Sequence, residues 1–170
     1  PARRYVSTIA VALDHIKKNN DEKFDRSNFI KNVILDNILP GDIYIKSREL
    51  RFNNDATRVV FIIRVAEHTD VSVFDVVQNF FPDKTKDFVI SISETDIALV
   101  KEVRPNVDSK DLEKLAQSIC DTLSTEFYCQ AVVGIGTCVT GIKDLAKSFK
   151  EAQVALEVSK VFDNEKTIIN

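Results

Sequence analysis

The sequence predicts a mixed α/β (α+β) fold: a sheet built in the order β-α-β-β-α-β, an extra helix after it, and a helical arm ahead of it. Three observations carry that prediction. Val59-Val60-Phe61-Ile62-Ile63 is an unbroken apolar run rich in β-branched residues, the pattern of a strand covered on both faces. Phe88 to Ser93 and Thr95 to Val103 flank a tight turn around Ser93-Glu94 and alternate as a hairpin does. Gln130 to Phe162 joins a buried strand, QAVVGIGTC, through Gly134, Gly136 and Gly141 to an amphipathic helix. Alanines at Ala146, Ala152 and Ala155 would let that helix lie close against a sheet.

From the amino terminus, ARRYVSTIAVALDHIKKNN sets Ala2, Val6, Ile9, Leu13 and Ile16 at alternating spacings of four and three, a heptad-type seam on one helix face. Two roles fit such a seam: pairing with a second subunit, or packing on its own domain. After Asn19-Asn20 two further helices are expected, from about Asp25 to Asn37 and from about Gly41 to Arg51, separated by Pro40-Gly41. Asp25 and Ser27 are the N-cap candidates, and Phe29, Val33, Ile34 and Ile38 form the apolar stripe. Residues 1–52 thus read as a helical arm and lead-in, with a dimerisation helix within 1–20, and residues 53–170 as the sheet domain.

Beyond the first strand, Val71 to Phe81 reads as a helix ended by Pro82, with Asp70 placed to cap it. After the hairpin, Asp108 to Phe127 is a long amphipathic helix with Ser109 as candidate cap and Leu112, Leu115, Ile119 and Leu123 as its buried stripe. Gln130 to Thr137 is the fourth strand, and Thr167-Ile168-Ile169-Asn170 reads as a strand just starting. This order is ferredoxin-like, of the palm type. The chain shows no internal repeat, low-complexity tract or Gly/Ser linker.

Composition excludes several classes of function. With 170 residues, 44% hydrophobic and 29% charged, the chain can bury one sizeable core. No apolar run approaches the roughly 20 residues that span a bilayer, and no leader pattern is present, so the cytoplasm is the expected compartment and no membrane partner is expected. A net charge of −3, with Lys17-Lys18 as the one small basic cluster, argues against this segment gripping nucleic acid. Cys120, Cys129 and Cys138 lack paired spacing and are expected to be reduced and mostly buried, with no metal and no cofactor implied. The absence of methionine and the start at Pro1 suggest a segment of a longer protein.

The closing unit VGIGTCVTGIKDLAKSFKEAQVALEVSK resembles that of GGDEF-like domains. Together with FIKNVILDNILPGDIYIKSRELRF ahead of the first strand, the chain from about Asp25 to Asn170 is similar to the GGDEF-like middle domain of the sugar-diacid utilisation regulator family, the CdaR/PucR-type bacterial transcription factors. That resemblance implies a cytoplasmic, dimerising regulator, with an upstream ligand-sensing domain. DNA would be bound only through a helix-turn-helix domain after residue 170, and a small effector such as a sugar diacid would bind elsewhere.

An active diguanylate cyclase would need carboxylates on the central strand and in the hairpin for two divalent ions, and two glycines at the turn. Here Ser93-Glu94-Thr95-Asp96-Ile97 stands in place of that turn and both glycines are gone. Asp96 falls about where the second acidic residue would be, whereas Arg64 occupies the strand where the metal-binding aspartate should sit, and Glu67 lies past its end. No enzymatic activity is expected. The alternative reading is a small-molecule or nucleotide sensor using the same degenerate cleft, with Arg64, Glu94 and Asp96 as its candidate ligand residues.

Other features have simpler explanations. His68 and Asp70 lack a nucleophile motif, His15 is expected to face solvent, and Gly134-Ile135-Gly136 lacks a completing GxGxxG. Those glycines suit a turn and close helix packing. Asp108, Asp111 and Glu113 suit the first turn of a helix, where the macrodipole favours negative charge.

Overall fold

The computed structural model describes residues 2–66, 72–162 and 168–169. Helix α1 (Ala2–Ile34) is one continuous helix of 33 residues, where the sequence led us to expect a break after Asn19-Asn20. Asparagine costs less than about 0.7 kcal/mol in a helix interior, too little to stop a helix that propagates cooperatively from both sides. Asp25 and Ser27 therefore lie inside α1 and cap nothing. Helix α2 (Pro40–Glu49) opens on a proline at its first turn, where the missing N–H costs no bond.

Strand β1 (Thr57–Val65) leads, through residues that include the undescribed 67–71, to α3 (Val73–Phe80). The cap of α3 is Ser72, whose Oγ accepts from the Asp75 amide at 3.4 Å; the Asp70 assigned that part from the sequence lies outside the described residues. Strands β2 (Phe88–Ser91) and β3 (Asp96–Val103) form the expected hairpin. Helix α4 (Ser109–Phe127) follows, capped by Asp108 through the Lys110 amide at 3.2 Å. Ser109 is thus its first residue and not its cap, and a carboxylate suits the positive end of the helix. Strand β4 (Ala131–Ile135), the short β5 (Val139–Thr140), helix α5 (Leu145–Phe162) and β6 (Ile168–Ile169) complete the chain.

The strands run β2-β3-β1-β4-β6, with β5 pairing β1 beyond the end of β4. Neighbours are antiparallel except β4 and β6, which are parallel. The apolar run in β1 is explained by this central place. Val59, Phe61 and Ile63 face a core closed by α3 and α4, while Val60 and Ile62 face a second core closed by α2, α5 and the last turns of α1. In α4 the buried stripe is Leu112, Ala116, Ile119, Cys120 and Leu123, with Leu115 partly buried.

Only the carboxyl end of α1 belongs to this body. Phe29, Ile30, Val33 and Ile34 are buried, and the Arg26 guanidinium lies 4.4 Å from the centre of the Phe52 ring while donating to the Thr85 carbonyl at 3.0 Å. Residues 3–25 are exposed throughout. Cys120 and Cys129 are buried and Cys138 is exposed, all three as free thiols. Among the described residues no helix is long and apolar enough to cross a membrane.

Candidate functional site

Arg64 and Asp96, 32 places apart with no local motif to link them, meet because β1 and β3 are antiparallel in a register that makes them direct cross-strand partners. Ser93 prepares the turn: its Oγ accepts from the Asp96 amide at 3.0 Å, and the Ile92 amide donates to the Asp96 carbonyl at 3.0 Å. Arg64 Nε and Nη2 then donate to the two Asp96 carboxylate oxygens at 2.7 and 2.8 Å, a bidentate fork. The remaining Nη1 donates to Glu157 Oε1 on α5 at 2.8 Å. The Asp96 hydrogen bonds, with help from Glu157, hold the guanidinium pKa above its ordinary value despite partial burial.

Of the three cleft residues singled out in the sequence, Arg64 and Asp96 are brought together, and Glu94 stands exposed in the turn beside them. Glu157 was not foreseen, since nothing in its local sequence reports that the last turns of α5 cross over β1. Glu67, His68, Thr69 and Asp70 lie outside the described residues.

This donor set does not fit a divalent metal with a nucleotide triphosphate. A magnesium ion is held by oxygen ligands, and here the Asp96 carboxylate is engaged at both oxygens by a cation. A metal bound there would have to displace the guanidinium or sit against it, and like charges at such range repel by several kcal/mol at a partly buried site, about 4 at 4 Å for each unit of the metal's charge.

Beneath the cleft, α5 touches the sheet backbone. A Cβ on Gly134 would come within 2.4 Å of the Ala152 carbonyl oxygen, and one on Gly136 within 2.1 Å of that of Ser148, so both positions need glycine for close approach. This is the turn-and-packing explanation expected for them. Ser148, fully buried, completes the contact: its Oγ accepts from the Val60 amide at 3.1 Å, while the Val60 carbonyl accepts from the Gly136 amide at 2.9 Å. A side chain from a helix thus serves one strand amide where β4 has ended and β5 has yet to start.

The seam on α1 lies at the opposite extreme of burial. Val6, Ile9, Leu13 and Ile16 are 67, 59, 60 and 57% exposed, so their apolar area is not spent on their own domain. His15 is exposed, as expected.

A protein-family model described as GGDEF-like domain matches residues 37–158, which take in α2, the central strands and nearly all of α5. A search of curated proteins finds no match.

Proposed function

Because the chain belongs to the GGDEF-like domain family, we propose that it acts as a non-catalytic regulatory and dimerisation module of a bacterial transcription regulator of the sugar-diacid utilisation type. In this reading α1 pairs two subunits, ligand occupancy elsewhere biases that pairing, and the sheet domain relays the bias to a helix-turn-helix domain outside the chain. The observation that carries it is the Arg64 fork on Asp96: the place where cyclase chemistry needs free carboxylates is closed by an ion pair that also ties the hairpin to α5. A relay benefits from such a tie, because it makes strand, hairpin and closing helix move together. The exposed seam of α1 supports the pairing half of the proposal.

The test uses two measurements. Fused to a DNA-binding domain that must pair to hold its operator, the chain is expected to restore operator binding, and Leu13→Glu to abolish it with the circular dichroism of the sheet domain intact. Incubated with GTP and Mg²⁺, the chain is expected to release no pyrophosphate above a blank. A Leu13→Glu fusion that binds as tightly as its parent would refute the pairing role, and measurable turnover would refute the non-catalytic one.

A further inference from the structure

The exposed part of α1 carries more information than a stripe. With Val6 set as heptad position a, Leu13 and Asn20 also fall at a, and Ala2, Ile9 and Ile16 at d. Because α1 continues unbroken through Asn19-Asn20, Asn20 is an exposed member of the same seam. Positions e hold Arg3, Ala10 and Lys17. We infer that α1 pairs with a second copy of this chain in parallel and in register, with the two Asn20 side chains facing one another. The inference rests on the pairing half of the proposed function and adds its orientation and register.

Two arguments select this arrangement. In the antiparallel register that best covers the seam, Val6 lies against Ile16 of the second copy and Ile9 against its Leu13. That register brings Arg3 and Lys17 of the second copy together as diagonal neighbours on the shared e flank, a like-charge pair, and leaves the Asn20 amide against Ala2, with no polar partner. The parallel register stacks Val6, Ile9, Leu13 and Ile16 each on its own copy, separates Arg3 from Lys17, and lets each Asn20 amide bond its twin. A buried asparagine at a is the residue that fixes register and parallel pairing at some cost in stability. A partner other than a second copy would have to supply a polar group at the Asn20 level, just past a face that is apolar from Ala2 to Ile16, whereas a second copy supplies it by symmetry.

Cysteine cross-linking decides it. In a Cys138→Ser background, which removes the exposed native thiol, Val6→Cys and Ile16→Cys are introduced separately and equilibrated in a glutathione redox buffer. The parallel arrangement is expected to shift each single variant to a disulfide-linked species of twice the 19.2 kDa chain mass, while Asp14→Cys, off the seam, stays at chain mass. Linkage only in a mixture of the Val6→Cys and Ile16→Cys chains would overturn the parallel arrangement and leave self-pairing in place. No linkage in any sample, with a single-chain mass in sedimentation, would overturn both the arrangement and the pairing it rests on.

Discussion

Replacing Ser148 with alanine isolates one buried hydrogen bond at the junction of α5 and the sheet. The Val60 amide is buried in the central strand and donates to Ser148 Oγ, and the substitution removes one hydroxyl, less than a water molecule's share of volume, about 30 Å³. An orphaned buried amide costs roughly 1–3 kcal/mol, and alanine returns up to about 0.5 kcal/mol as a better helix former than serine. The net expectation is a loss of about 1.5 kcal/mol. With a urea m-value of about 2 kcal/mol/M, the unfolding midpoint should fall by about 0.7 M. In thermal unfolding the same loss is about 3–6 °C. The assay is urea unfolding followed by circular dichroism at one fixed protein concentration, since self-association would otherwise move the midpoint. A midpoint within about 0.2 M of the parent, at unchanged m, would refute the claim that this hydroxyl is the amide's partner.

Three further outcomes are expected. Gly136→Ala should cost about 3 kcal/mol or more, because the new methyl meets a helix carbonyl oxygen at 2.1 Å, whereas Gly41→Ala in α2, with open space around it, should stabilise by about 0.5–1 kcal/mol; paired denaturation curves check both signs. For the Arg64 fork, a double-mutant cycle with Arg64→Ala and Asp96→Ala should give a coupling of about 1–2 kcal/mol, since the pair is bidentate and only partly exposed; a coupling near zero would remove it as a structural tie. Burial pushes the Cys120 thiol up to about 11 from the ordinary 9.0. Below pH 9 both folded and unfolded forms keep this proton; between about 9 and 11 only the unfolded form loses it, so stability contributed by the neutral thiol is lost as pH rises through that window, by up to ~1.4 kcal/mol per pH unit. Cys120→Ala should flatten that slope, and a slope unchanged by the substitution would refute the assignment.

The parts of the fold that were legible in the sequence are those fixed by local periodicity. The run at Val59–Ile63 could be placed in a doubly covered strand because both its faces are apolar, and the small residues of the closing unit announced close packing before any helix was seen on the sheet. Boundaries set by weak local preferences were less legible. Asn19-Asn20 looks like a stop, yet helix on both sides outweighs two mildly unfavourable residues, and whether Asp108 or Ser109 caps α4 depends on which side chain reaches the Lys110 amide. The site was half legible. Arg64 could be named as out of keeping with cyclase chemistry and Asp96 as the carboxylate at the second acidic position, but their pairing depends on strand register, and the contributions of Glu157 and Ser148 depend on how α5 crosses the sheet, neither of which leaves a local trace.

The unbroken course of α1 makes it a lever as well as a seam. Its exposed portion, residues 3–25, reaches about 35 Å from the point where Arg26 is stacked on Phe52. With neither glycine nor proline along that length, the rod has no joint at which a force on its far end could dissipate. A tilt of only about 5° at the Arg26 anchorage therefore sweeps the tip through about 3 Å, and the same ratio in reverse concentrates a displacement at the tip into a small, forceful rotation of Phe29 and Ile30 within the core. The stiffness of one helix sets the gearing between the two ends of the molecule.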